Sequence, residues 1–233
     1  MGRNLGTKTA RKRTGADEGT EDLELWEDVR PLSSQRLLLA ALQSFADRGF
    51  HGTTTRDIAQ RANMSPAALY SHYSSKAELL YQISKATHES MLREMREVFA
   101  RPAKPVERLT NLVNTHARYH AVHHTAARVA NYELRSLLPR HRAEVQQLRD
   151  GMESVMREAI RLGVVSGDFN VRDIGIANVA ILSLGIDIAR WYRPDGRLQP
   201  AELAASYAEY AANFLRGING AGKSTTRNGG GLA

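Results

Sequence analysis

Two sets of residues in this 233-residue chain have the types and spacing to do chemistry. His116, His120, His123 and His124 recur at intervals that bring several imidazoles to one side of a helix, a spacing that formally matches metal ligands. No carboxylate completes a coordination shell on that side, so no metal is assigned. Arg118, His120, His123, His124, Arg128, Tyr132 and Trp191 instead read as the border of a pocket for an anionic small molecule, the plain alternative being a polar helix face. The second set, Gly217 to Ser224, spells a glycine, four residues and then Gly-Lys-Ser, the pattern of a phosphate-binding loop. Such a loop works between a strand and a helix, where backbone N–H groups converge on the phosphates. Here a helix precedes it, and the residues to Ala233 offer nothing to pack on, so 219–233 reads as a flexible tail. Asp187 is the odd carboxylate of an apolar helix, with Arg190 as its partner and no placed base. No catalytic residues and no cofactor are expected, and the chain does not read as an enzyme.

The most specific pattern lies between Phe45 and Leu79. The stripe Leu38, Ala41, Leu42, Phe45 has helical spacing and stops at Gly49, predicting a helix over 33–48. Thr53, Thr54 and Thr55 offer capping hydroxyls to a second helix with Ile58, Ala59 and Ala62 inward, ending near Asn63. Ser65 before Pro66 starts a third helix over 66–73. Ser75 to Glu78 has the form of a capping box that starts a fourth. The third helix is short, with Leu69 inward and the small residues Ala67 and Ala68, with Ser71 and His72, outward, which suits close approach to base edges in a major groove.

These residues carry a resemblance. Phe45, Gly49, Phe50, Thr53, Thr54, Ile58, Ala59, Ala62, Met64, Ser65, Leu69, Tyr70, His72, Tyr73, Ser75, Lys76 and Leu79 together look like the DNA-binding domain of the TetR family of bacterial repressors. The resemblance implies an all-α protein, with a three-helix helix-turn-helix domain followed by a larger helical domain for ligand binding and dimerisation. It implies that Ser65, Pro66, Ala67, Ala68 and His72 enter or border the major groove. Thr54, Thr55 and Arg56 would meet phosphates or a base edge, Tyr70 and Tyr73 the backbone, and Lys76 a phosphate. Since alanines read little directly, Arg56 becomes the expected guanine reader.

Composition sets the remaining bounds. A net charge of +7, from 32 basic and 25 acidic residues, favours a polyanionic partner. The absence of cysteine excludes disulfides and thiolate metal sites. No run of about 18 apolar residues suggests a membrane span, and the N-terminus has no apolar signal core, so a cytoplasmic protein is expected. Residues 1–31 read as a disordered charged arm, basic to Arg13 and acidic from Asp17 to Asp28. The DNA-binding domain is taken as 32–78 and the ligand and dimerisation domain as 79–218. Helices are expected to about Phe99, then at 105–122, 125–137, 139–162, 171–191 with Asn170 as N-cap, and 200–218.

The helix over 171–191 is apolar almost all round and must be covered on several sides. With the stripe of the last helix it predicts a two-fold interface through Ile174, Asn178, Ile181, Leu182, Tyr207, Ala211 and Phe214, so that a homodimer reads an inverted-repeat operator. The stretches His120 to Glu133 and Trp191 to Gly196 resemble those of actinobacterial repressors of lipid and steroid breakdown. That resemblance implies an acyl-coenzyme A thioester as the effector that releases the DNA.

Overall fold

The computed structural model describes residues 21–217. These residues form nine α-helices, two 3₁₀ turns and no strand: α1 Leu32–Arg48, α2 Thr55–Arg61, α3 Pro66–Tyr70, α4 Lys76–Ala100, α5 Pro105–Val122, α6 His124–Tyr132, α7 Pro139–Val165, α8 Ile174–Trp191 and α9 Pro200–Arg216. The all-α expectation holds, and most boundaries fall within a few residues of the sequence reading. The third helix is shorter than expected because Ser71 already leaves it as the C-cap.

Caps and turns fix α1 to α4 locally. Gly49 closes α1 at φ 71°, a conformation costly to any residue with a Cβ, which would also meet the Glu133 carboxylate at 3.2 Å. Thr54 and Asp57 form a complete capping box at α2, with Thr54 Oγ1 accepting from Asp57 N and Asp57 Oδ2 accepting from Thr54 N at 2.8 Å. Asp57 is held below the usual carboxylate range, chiefly by the Thr54 hydroxyl. The turn into α3 is a Schellman motif. Asn63 at φ 54° donates to Gln60 O at 3.0 Å and Met64 N donates to Ala59 O at 2.8 Å, while the Met64 side chain packs on the core. Ser65 Oγ then accepts from Ala68 N, with Pro66 at the first helical position.

The core is continuous across the expected domain boundary at 78. Leu37, Leu38, Leu42, Phe45, Ile58 and Leu69 pack in one cluster with Leu80 and Ile83 of α4, Val129 of α6 and Val145 of α7. A second cluster joins α4, α5, α7, α8 and α9 through Met95, Leu112, Met156, Ile181 and Leu215. Helix α4 belongs to both.

Two expectations are corrected. The arm was taken to lack structure to residue 31, yet Glu21–Trp26 is a 3₁₀ turn. Trp26 is 2% exposed in the core shared by α1 to α4, its carbonyl accepts from Gln35 Nε2 at 2.7 Å, and Asp22 pairs with His123 in the buried interior. One large aromatic supplies apolar area that the charge pattern hid. Helix α8 is capped not by Asn170 but by Asp173, whose Oδ1 accepts from Ile176 N at 3.0 Å. Residues 1–20 and 218–233 lie outside the described residues, and with them the basic half of the arm and all of the phosphate-loop pattern except Gly217. The element before that pattern is helix α9, as the sequence reading required.

The Schellman geometry is testable. Asn63→Gly should leave thermal stability within about 0.5 kcal/mol of the parent, whereas Asn63→Val should cost about 1–2 kcal/mol by chemical denaturation, since a β-branched residue resists positive φ.

Candidate functional site

The first candidate surface is the exposed side of α2 and α3. Ser65, Pro66, Ala67 and Ser71 are open to solvent, Ala68 is half-buried, and Tyr70 projects at 54% exposure. Leu69 is fully buried and anchors α3 from beneath. Tyr70 Oη lies 3.1 Å from Thr55 Oγ1, a brace between α3 and the first turn of α2. Arg56 is exposed beside that brace. These groups form one small-residue ridge flanked by hydroxyls and a guanidinium, a shape that can enter a groove with donors placed for phosphates.

Three more of the residues assigned to DNA have structural partners. His72 Nδ1 lies 3.2 Å from Ser34 Oγ, and Tyr73 Oη donates to Ser34 O at 3.3 Å. Tyr73 is half-buried, and burial raises its phenol above the ordinary value, so it braces α1 against the reader. Lys76 Nζ donates to Phe50 O and Thr53 O, both at 2.8 Å, and stands 4.3 Å from the Phe50 ring centre. Two of its three N–H bonds are committed inside the protein, which makes it a strut as well as a surface cation.

Glu133, at the end of α6, takes hold of the same residue from the opposite side. Its Oε1 accepts from Phe50 N at 3.0 Å, while Ser136 Oγ donates to Oε2 at 3.0 Å. The α1–α2 turn is therefore tied by Lys76 to α4 and by Glu133 to α6.

The second candidate site is a cavity of about 180 Å3 inside the larger domain. Thr87, His88 and Met91 of α4 face His116, Tyr119 and His120 of α5 across it, with Asn131 of α6 and Arg149, Met152 and Glu153 of α7 alongside. Val179, Leu182, Ser183 and Ile186 of α8 complete the wall, and Val179 and Ser183 are exposed, so the cavity opens beside α8. Arg149 is half-buried; its Nη1 donates to Asn131 Oδ1 at 2.6 Å and sits 3.3 Å from His88 Nε2. Burial lowers its guanidinium from the ordinary value. Among the described residues no carboxylate forms an ion pair with it, so an acceptor on a bound molecule could take its remaining donors. His88 Nδ1 lies 2.7 Å from Ser84 O and His120 Nδ1 lies 2.8 Å from His116 O. Each carbonyl fixes the proton on Nδ1 and leaves Nε2 as the acceptor. Desolvation pushes both imidazoles down to about 4 and holds His116 well below its ordinary value, so all three are neutral near pH 7.

Only His120 of the residues assigned to the ligand lines this cavity. Helix rotation explains the rest: two residues turn α5 by about 200°, so Arg118 is exposed when His120 is inside. His123 is committed to Asp22 at 3.2 Å. His124 and Arg128 border a separate cleft of about 580 Å3, with Arg61, Asp47 and Arg193, between α1 and the larger domain. Tyr132 is on the surface, 3.5 Å from Asp187, and Trp191 is 38% exposed outside the cavity. Asp187 is likewise exposed rather than buried, held low by the fork of Arg190 at 2.7 and 3.0 Å. Sequence reasoning missed Arg149 and His88. A signal was present, because Arg149 sits in the middle of the stripe Val145, Met152, Met156, where a cation is anomalous.

The third feature is an apolar face. Ile176, Val179 and Leu184 of α8 and Tyr210 and Phe214 of α9 are more than half exposed. Leu184, Tyr210 and Phe214 border a groove of about 350 Å3 that Val113, Ala180, Ile181, Tyr207 and Ala211 also line. Of the residues assigned to the two-fold interface, Ile181, Tyr207, Ala211 and Phe214 share this groove, and Ile174 is half-exposed at one end of α8. Asn178 and Leu182 do not belong to it. Asn178 is fully buried and donates to Glu153 O at 3.2 Å, and Leu182 lines the cavity. Helix α8 is apolar and long enough to span a bilayer by composition, with mean hydropathy 1.4, but it packs on α5, α6 and α7.

Comparison with known proteins places both halves of the chain. Residues 37–83 match the family described as bacterial regulatory proteins, tetR family, and residues 102–215 match the tetracyclin repressor-like C-terminal domain. The chain is 30% identical over 186 residues to the HTH-type transcriptional repressor KstR2 of Mycobacterium tuberculosis, covering 78% of this chain and 90% of that protein. A bacterial regulatory protein of the tetR family from Rhodococcus RHA1 superposes with TM-score 0.75 at 38% identity, over 79% of this chain and 97% of the other. PfmR, a TetR family transcriptional regulator from Thermus thermophilus, does so with TM-score 0.72 at 33% identity, over 78% and 98%.

The neutral imidazoles make stability depend on pH. Their folded values lie below the ordinary 6.5, so between about pH 6.5 and 4 the unfolded chain binds protons that the fold excludes. Stability should fall as pH drops through that window, by up to about 3 kcal/mol for each histidine. Urea melts of His120→Gln should show a shallower loss than the parent over this range; parallel curves would mean that His120 is already protonated in the fold.

Proposed function

We propose, from the premise that the chain belongs to the TetR family of bacterial regulatory proteins, that it is a repressor which binds an inverted-repeat operator as a homodimer and is released by an acyl-coenzyme A thioester in the cavity at Arg149. The repressor named KstR2, with its helix-turn-helix, supports the first part. The observation that carries the release is the double hold on Phe50: Lys76 and Glu133 grip its carbonyl and its N–H, and the helices α4 and α6 that bear or adjoin them line the cavity through Thr87, His88, Met91 and Asn131.

The chemistry of the cavity supports the effector class. Arg149 offers donors to a thioester carbonyl, while Met91, Met152, Leu182 and Ile186 wall an acyl chain. The opening at Val179 and Ser183 gives the remainder of the molecule an exit. A ligand that fits one placement of α4 and α6 better than another shifts the population toward it, and the two struts carry the displacement to the α1–α2 turn.

On the DNA side, Ala67, Ala68 and Pro66 ride in the major groove, and Arg56 reads a base edge. Thr54, Thr55, Ser65, Tyr70 and His72 engage the backbone, with the third N–H of Lys76. Tyr73 positions the reader from inside. The apolar face of α8 and α9 meets its own copy around a two-fold axis, which sets the two α3 helices about one turn of DNA apart.

Two measurements test this reading. Leu184→Arg should yield a folded monomer by analytical ultracentrifugation with operator affinity reduced at least about 10-fold; a dimer of undiminished strength would remove the interface from α8. In fluorescence anisotropy on the chain's own upstream DNA, short acyl thioesters should weaken operator binding by about 5 to 150-fold. Glu133→Gln should keep the affinity for DNA and lose most of that response. An operator affinity indifferent to every thioester that binds would end the release mechanism.

A further inference from the structure

Deep in the same cavity, His116 and His120 are 3% and 4% exposed, with ring centres 4.4 Å apart and planes tilted by 55°. His120 spends its N–H on His116 O at 2.8 Å, so its Nε2 is an acceptor, and no described residue donates to it. His116 has neither ring nitrogen in a hydrogen bond among the described residues. Gly185 permits this close seating: a Cβ there would stand 2.1 Å from His116 Nδ1. Both rings line the cavity, so whatever fills it supplies the partners of these nitrogens. His88 differs, because its Nε2 already faces Arg149.

What is required is a group that donates to one ring and accepts from the other. A carbonyl or carboxylate accepts only, and would leave the His120 acceptor stranded. An ammonium donates only. A hydroxyl does both, and rings this close can both reach one oxygen. Resting on the reading of this cavity as the effector site, we propose that the effector is hydroxylated: its alcohol sits between His116 and His120, donating to His120 Nε2 and accepting from His116, while its carbonyl faces Arg149. The neutrality of both imidazoles, imposed by burial, keeps the acceptor available.

The residues around the pair agree with an uncharged group. Tyr119, which lies against His120, donates its own hydroxyl to Thr87 O at 2.8 Å. Leu182 and Ile186 provide apolar cover. The pair therefore selects among acyl chains by one polar atom, where the apolar walls distinguish mainly length.

The test uses the full-length protein with hexanoyl-coenzyme A and its 3-, 4- and 5-hydroxy forms, titrated by calorimetry and by release of operator DNA. At least one hydroxylated form should bind at least about 10-fold tighter than the parent thioester, the worth of one buried acceptor satisfied rather than stranded. His120→Phe should erase that preference, so that the hydroxylated forms bind no more tightly than hexanoyl-coenzyme A to the same variant. The comparison within the unmodified protein stands even where the variant does not fold. Equal or weaker binding of every hydroxylated form, with hexanoyl-coenzyme A still bound, overturns the hydroxyl and leaves the effector site in place. Silence from all four thioesters removes the thioester site and this inference with it.

Discussion

The peptide of Phe50 is held at both ends by charge. Lys76 donates to its carbonyl and Glu133 accepts from its N–H, and bonds with one ionised partner contribute about 1.5–3 kcal/mol each. Phe50 follows Gly49, the residue that ends α1, and precedes the capping box of α2, so whatever moves this peptide turns the two-helix reader as a unit. Neither strut comes from the reader's own short helices. One stands on the first residue of a 25-residue helix that runs on to the cavity, and the other follows the helix that supplies Asn131. The reader is too small to hold its own orientation, and its core is completed by α4, α6 and α7. That incompleteness makes the reader responsive to the larger domain.

The cavity mixes polar and apolar groups. Three neutral histidines, an asparagine, a guanidinium and the Glu153 carboxylate line it together with methionines and aliphatic residues. Burying these groups opposes folding, and only part of the loss is recovered through Ser84 O, His116 O and Asn131 Oδ1. A protein needing only stability would fill this space with leucine. The unsatisfied capacity is directed inward, at His116, at His120 Nε2 and at the outer donors of Arg149, which is what a pocket with chemical selectivity requires.

The reader was legible in the sequence because its geometry is set by local chemistry. Ser65 before Pro66, Thr54 with Asp57, and Gly49 each determine a terminus through bonds to residues three or four away. The cavity was much less legible, because residues on five different helices meet there and small rotations decide which face in. Of the cluster from Arg118 to Arg128, His120 enters the cavity, while its neighbours face solvent, Asp22 or a different cleft. Arg149 was readable in principle, as a cation inside an apolar stripe, but nothing in sequence pairs α7 with α5. Trp26 shows the same limit from another side. An acidic segment looks solvated until one aromatic finds a place in the core.

Helix α8 joins the two remaining functions. Its composition, apolar almost all round, reads as a helix covered on every side, yet one side is bare. Asn178 and Leu182 turn inward, where Leu182 and Val179 meet the cavity, while Leu184 lines the groove against α9. A second copy seated on the bare side would border the cavity's opening at Val179 and Ser183. In the proposed dimer, effector entry and subunit association would share one helix wall, so a ligand that pushed on Leu182 or Ile186 would act on the dimer geometry as well as on α4. In the proposed dimer the distance between the two α3 helices would be set both by the struts at Phe50 and by the packing of α8, whose Leu182 and Ile186 line the cavity.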